Sequence, residues 1–374
     1  VIRSTVQRFS LRRVFAVVGK ELRQLRRDRL TYAMIIGIPA TQLLLFGYAI
    51  NLDVRELPAA IVDHAQTSRS REFVQALAQT QVFRFTEVTS DPSEARSRIR
   101  AGEIKAALVV PRDFERRLLA TDEPVAQLLV DGSEQVVQQA ARQIAGFPVR
   151  AMLRGQSVSP PGGAIEVLTL YNPLREAPLN TVPGLIGVIL TMTMVMFTAI
   201  ALVRERERGN LEFLITTPLS TLELTLGKIL PFVGIGLIQT TIVVALGAAI
   251  FHVPVRGSLP DLYVAAFVFI IATLALGILI STVVSSQFQA MQAAIFTLLP
   301  QILLSGFMFP LEGMPRVARW LAELLPLTHF VRLARGIMVR GADLTELWPS
   351  AAKLCLFALI ALTIATLRFR KRLD

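Results

Sequence analysis

Residues 183–228 read PGLIGVILTMTMVMFTAIALV followed by RERERGNLEFLITTPLSTLELTLGK, and this stretch decides the fold. Its first part, Pro183–Val203, contains no Asp, Glu, Lys, Arg or His. About 20 such residues, rising ~1.5 Å each as a helix, cross the ~30 Å of a bilayer's hydrocarbon. The second part begins with alternating Arg and Glu at Arg204–Arg208, where an apolar helix leaving a membrane meets water. Pro183 is expected at the helix start, where its missing N–H costs little.

Working outward, the same kind of block recurs at Leu30–Ile50, Ile229–Phe251, Leu262–Val284, Met291–Phe309 and about Ser350–Phe369. The expected architecture is therefore a mainly α polytopic membrane protein with six transmembrane helices. The 374 residues are 53% hydrophobic, too apolar for an ordinary soluble chain of this length. The net charge of +11 does not indicate nucleic-acid binding, because Lys and Arg gather at the ends of the apolar blocks. The N-terminal arm, the segment Arg204–Lys228 and the tail Arg368–Arg372 all carry Lys or Arg, and six crossings put them on one side. By the positive-inside rule both termini are expected in the cytoplasm, with the first span acting as its own signal anchor.

Two segments flank this pattern. Residues 1–29 place Leu11, Val14, Phe15, Val18, Leu22 and Leu25 on one helical face, expected to lie along membrane lipids as a cytoplasmic amphipathic helix. Residues 51–182 are expected to hold an extracytoplasmic α/β domain inserted between the first and second spans. Strand-like runs occur at Leu57–Val62, Val82–Val88, Ala106–Val110 and Ala126–Val130, with helix-like stretches between them. A helical stretch near Ser133–Arg154 leads to the Pro/Gly-rich linker Ser159–Gly163. The segment 310–349 should be external although it carries five Arg residues, and 370–374 forms a cytoplasmic tail.

The chemistry suggested by absences is informative. The span interiors contain no ionisable side chain; Lys353 and Arg368 sit at the ends of the last span. Ion-coupled transporters usually bury such groups near the midplane, so coupling energy must come from elsewhere. Yet neither Gly-Lys pair fits a P-loop: Gly19-Lys20 is followed by Glu21 and Gly227-Lys228 by Ile229, and Leu222 stands where the latter needs its first glycine. Cys355 is the single cysteine, which argues against an intramolecular disulfide and a Cys-based metal site, and His64, His252 and His329 are scattered and form no ligand motif. No catalytic residue, bound cofactor or metal is expected on this chain. Inside the spans, Pro39, Thr41, Gln42, Gln239, Pro300, Gln301, Ser305 and Gly306 are candidates for a pathway lining or hinge, with interhelical hydrogen bonding the alternative for the polar ones.

The run Glu205, Glu207, Gly209, Leu211, Glu212, Thr217, Pro218, Glu223, Gly227, Lys228 resembles the signature loop of type-2 ABC transporter permeases. So do the run from Leu304 through Pro310 and Lys20-Glu21 with Arg27-Asp28 ahead of the first span. The resemblance covers almost the whole chain and is closest to the bacterial multidrug-exporter branch with a large external domain. Asn210 departs from it, since relatives usually carry Thr there.

That resemblance implies an ATP-driven exporter permease without a nucleotide site of its own. ATP and magnesium would sit on a partner, a cytoplasmic ABC ATPase. Coupling to it would fall to Glu205, Glu207, Gly209, Leu211, Glu212, Leu214, Pro218 and Glu223, with Lys20, Glu21, Arg27 and Asp28 of the N-terminal helix. A second permease, identical or related, would complete the pathway, and a periplasmic adaptor could meet the external domain. Residues 310–349 would form two re-entrant helices broken at Pro326. A non-transporting protein that relays ATPase motion to an external partner is the alternative from a different class.

Overall fold

The computed structural model describes residues 56–120, 123–147, 149, 165–174, 176–207, 221–309, 311 and 314–370. The expected first span, the N-terminal helix and most of the signature loop lie outside these residues.

The first unit is an α/β domain. Strands β1 (Leu57–Asp63), β2 (Phe83–Val88), β3 (Ala106–Val110), β4 (Ala126–Asp131) and β5 (Ile165–Leu170) form one sheet in the order β2-β1-β3-β4-β5. β1 pairs in parallel with both β2 and β3, β3 with β4 antiparallel, and β4 with β5 parallel. Helices α1 (Ser68–Gln79) and α2 (Pro92–Ala101) lie in the connections among the parallel β1, β2 and β3, α3 (Phe114–Leu119) lies between β3 and β4, and α4 (Gln135–Ala145) lies between the parallel β4 and β5. Alternation along β1 sends Leu57 and Ala59 to one face and Ala60 and Val62 to the other, and each face has its own apolar core. The first core takes Phe73, Phe114 and Val137 from α1, α3 and α4, and the second takes Ala95 and Ile99 from α2. Capping fits the sequence: Thr67 and Ser70 make a reciprocal box at α1, and the Asp91 side chain accepts from Ser93 N at α2. Strand β5, which is not among the expected strand-like runs, extends the sheet from the far side of the Pro/Gly-rich stretch. A strand of IEVLTL has only a few alternating residues, and its partner β4 is remote in sequence.

The second unit is a helical bundle: α5 (Ala177–Glu207), α6 (Thr221–Phe251), α7 (Leu259–Val283), α8 (Gln287–Leu304), the short α9 (Arg316–Glu323) and α10 (Pro326–Arg335), and α11 (Trp348–Arg370). A single wide turn, Gly336–Arg340, follows α10. Among the described residues, α5, α6 over Leu230–Phe251, α7, and α11 over Trp348–Arg368 are long and apolar enough to cross a membrane, four helices in all. α8 is not among them: its 18 residues span only ~27 Å and include Gln287, Gln289, Gln292 and Gln301. α5 starts earlier than the apolar block suggests, so Pro183 lies inside the helix and not at its first position.

α7 is the central helix, packed against α5, α6 and α11. Gly277 brings α5 and α7 together; a Cβ there would lie 2.8 Å from both Thr198 Cβ and the Val195 carbonyl. Phe269 of α7 stacks on Phe330 of α10 with centroids 4.4 Å apart. α6 and α11 instead expose rows of large apolar side chains, Leu230, Ile238, Ile242, Leu246 and Ile250 on the first, Leu356, Ile360, Ile364 and Leu367 on the second. Their spacing of four or three residues makes continuous apolar stripes of the kind that acyl chains or another apolar helix solvate.

Candidate functional site

The α/β domain sits on one end of the bundle, and a set of buried polar contacts joins them. Arg340, at the end of the turn after α10, reaches 3.3 Å from Asp131 at the end of β4; the two side chains are 5% and 0% exposed. Asp131 also accepts the Ser133 N–H at 2.9 Å. The guanidinium fits because Gly102, with φ +78°, has no Cβ; one built there would meet Arg340 Nη1 at 2.6 Å. Beside it, Lys105 donates to Glu134 at 2.7 Å, and Arg100 of α2 pairs with Glu346 ahead of α11. Burial pushes the Glu134 carboxyl up, but Lys105, Arg335 and Arg340 outweigh it and lower it from 4.5 to about 2. Asn180, with its amide nitrogen turned toward the domain, donates to the carbonyls of Gly132 at 3.2 Å and Ser133 at 2.7 Å.

Arg335 joins a third element to this contact. It donates to the carbonyls of Gly306 at 3.0 Å and Phe307 at 3.1 Å, where the chain leaves α8. Ser305 ends α8 and Gly306 has φ +78°, so the expected fifth span, Met291–Phe309, is helical only to Leu304. Two clefts of about 280 and 330 Å³ open on either side, both lined by Glu134, Gly306 and Arg335. Four cationic and three acidic side chains line the first cleft, and Arg335 with Glu134 line the second.

The expected pathway residues separate. Gln239 of α6 accepts from Thr193 Oγ1 of α5 at 2.9 Å, an interhelical hydrogen bond inside the apolar region. Gln301 is 1% exposed, and its Oε1 has no partner. Pro300 lies inside α8 one residue earlier. Ser305 and Gly306 belong to the clefted end, far along α8 from its start. Pro39, Thr41 and Gln42 lie outside the described residues.

The opposite end of the bundle carries the described part of the signature loop. Arg206 Nη2 donates to the Ser281 carbonyl at 3.0 Å and to that of Val284, at the end of α7. Glu207 accepts from the Gln287 backbone N–H at 2.9 Å and from Gln287 Nε2 at 2.5 Å, at the start of α8. Arg204 Nε donates to Gln287 Oε1 at 3.2 Å. Below them Ala199, Val203, Val284 and Ala290 form a small apolar cluster. Glu205 is part-buried in the same turn of α5. Glu223 falls in the first turn of α6, while Gly209, Leu211, Glu212, Leu214 and Pro218 lie outside the described residues, as do Lys20, Glu21, Arg27 and Asp28. Sequence reasoning missed the internal partners of Arg206 and Glu207; the cue was Gln287, a polar residue directly after the turn between two apolar blocks.

Several apolar helices of membrane-crossing length, met at both ends by charged clusters, define a polytopic membrane protein. The chain belongs to the ABC-2 family transporter proteins, whose family model matches residues 29–367. It is 30% identical over 378 residues to the probable multidrug ABC transporter permease YbhS of Escherichia coli (strain K12), covering 98% of each chain. It is also 30% identical to the probable multidrug ABC transporter permease YbhR of the same strain, over 96% of this chain and 99% of that one. The inner membrane transport permease YhhJ, again from that strain, is 30% identical over 96% of this chain and 98% of its own. The chain is thus a permease subunit of an ABC exporter, a membrane protein whose ATP hydrolysis belongs to a separate cytoplasmic ABC ATPase.

Proposed function

We propose that this permease, paired with a second copy or a related permease, exports amphiphilic compounds of the multidrug type across a bacterial inner membrane. Both termini and the 208–220 loop face the cytoplasm, where the loop and the N-terminal helix dock on the ATPase that holds ATP and magnesium. The α/β domain then lies outside, over the exit, and offers a platform for a periplasmic adaptor. The observation that carries this reading is the seating of the domain: the buried pair Arg340–Asp131, the Arg100–Glu346 pair and the bonds from Asn180 to Gly132 and Ser133 hold it against the turn after α10, the segment ahead of α11 and the start of α5. A domain fixed there moves whenever those elements move.

Apolar walls with single polar contacts, such as Thr193–Gln239, suit amphiphiles better than ions. Affinity capture from gently solubilised membranes tests the partnership, with Leu211→Ala and Glu212→Ala as the disrupting pair. Capture of a P-loop ATPase by the parent and its loss from the variant is the expected result; no ATPase from the parent refutes it. Energised vesicles containing the captured complex should accumulate ethidium or a related dye only with ATP. The same rigid seating also favours the relay of ATPase motion to an external partner, and full ATPase stimulation with no solute moved from a broad dye panel would select that reading.

A further inference from the structure

The two residues at the end of α5 meet opposite helix ends. α7 finishes with carbonyls that have no helical partner, and α8 begins with unpartnered N–H groups. Arg206 supplies a cation and two donor bonds to the first, through Ser281 and Val284. Glu207 supplies an anion to the second and uses both oxygens on Gln287. Each charge therefore also has the sign that the local helix dipole favours. Ser285 N and Ser286 Oγ are occupied within the turn by Gln289, so the grip adds to an already capped corner.

We propose that Arg206 and Glu207 are positioning residues that pass movement of the adjoining 208–220 loop into the α7–α8 turn, so that α5, α7 and α8 shift as one body, and that Glu207 does this without holding the ATPase itself. The proposal rests on the reading that the loop docks on the ATPase. It places Arg206 and Glu207 on the permease side of the coupling joint and leaves docking to the loop that follows them, Leu211 and Glu212 included. It also assigns Gln287, 80 residues away in sequence, to the same joint.

Hydrogen exchange of amides 281–289 in the captured complex, with and without a non-hydrolysable ATP analogue, tests it. In the parent, nucleotide should change exchange at this turn several-fold. Glu207→Ala and Gln287→Ala should each abolish that response while the ATPase stays bound, and the double variant should behave like either single one. An Arg206→Glu/Glu207→Arg exchange keeps the loop's charge and should also abolish it, because each helix end then meets the wrong sign. Loss of the ATPase from Glu207→Ala would make Glu207 a docking residue and overturn the proposal. So would a persisting nucleotide response in Glu207→Ala or Gln287→Ala. A parent that captures no ATPase refutes the docking reading and the proposal together, and is told apart because it does not depend on the variants.

Discussion

Removing Arg340 should loosen the α/β domain from the bundle by a predictable amount. Asp131 is fully buried, so Arg340→Ala leaves its carboxylate with the Ser133 N–H as its remaining partner among these bonds. Breaking one side of a buried ion pair costs about 3–5 kcal/mol. The 3.3 Å separation and the retained Ser133 bond favour the lower figure, about 3 kcal/mol. At ~1.4 kcal/mol per factor of ten, that is roughly a hundredfold shift toward the unseated domain. Hydrogen exchange reads such opening directly. The reporting amides are Ser133, which donates to Asp131, and Gly257 and Arg256, which donate to Ile337 and Met338 in the turn that presents Arg340. In Arg340→Ala these should exchange about a hundredfold faster, while amides within α7 stay unchanged. The pair Asp131→Asn/Arg340→Met removes both charges at similar volume and should return exchange to within about tenfold of the parent, because a neutral buried pair carries no uncompensated charge. Equal loss in the single and double variants, or no change in Arg340→Ala, would refute the idea that this pair seats the domain.

Three further outcomes are expected. A carboxyl whose value is lowered in the folded protein contributes stability above its ordinary value and loses it as pH falls toward the lowered one. Glu134, ordinarily 4.5 and here about 2, should therefore hold this corner of the folded protein fully down to pH ~4.5 and lose that contribution progressively as pH falls toward the lower value. The fluorescence of Trp348, which lines the cleft, should report that transition in a Trp320→Phe background and lose it in Glu134→Gln. Gly277→Val should separate α5 from α7 and cost about 1–3 kcal/mol, lowering the melting temperature in detergent, with Gly277→Ala milder. Thr193→Val and Gln239→Leu should each cost about 0.6 kcal/mol and fail to add, as expected of one interhelical bond. A change in dye affinity without any change in stability would instead place that pair in the pathway.

The parts legible in the sequence are those set by local pattern. Long uncharged blocks announce the membrane helices, because no other environment accommodates them. The first four strands show because each has apolar residues bounded by turns and caps such as Thr67 and Asp91. What stayed hidden depends on distant pairing. β5 pairs with β4 across a Pro/Gly-rich stretch, and nothing within IEVLTL says that it joins the sheet. The end of α8 at Ser305 is hidden inside an apolar block, because hydropathy does not register that Gly306 takes φ +78° and that its carbonyl is claimed by Arg335. The five Arg residues of 310–349 look misplaced in sequence, yet Arg332, Arg335 and Arg340 each have a folded partner: Glu323 at 2.5 Å, the Gly306 and Phe307 carbonyls, and Asp131. The charges at Arg204–Glu207 look solvated until Gln287 is brought beside them.

Helix α5 joins the two charged ends. Its 31 residues extend ~46 Å, more than the hydrocarbon thickness, so both ends project past the apolar zone. Near one end Asn180 bonds the Gly132–Ser133 turn of the α/β domain, and at the other Arg204, Arg206 and Glu207 hold the α7–α8 corner. Between them Gly277 and the Thr198–Val195 turn lock α5 to α7 at backbone distance, which resists sliding of one helix along the other. A tilt imposed at the Arg206 end must then reappear at the Asn180 end, because the rod is a continuous helix with Pro183 close to its N-terminus. The buried pair at Arg340–Asp131 makes sense in this light. Ion pairs of this kind contribute little net stability over an apolar substitute. They have one favourable geometry, however, so a domain seated on them has a defined docked state and a defined released one. Uncharged spans with such joints at each end can pass a stroke from one side to the other without moving any charge through the membrane.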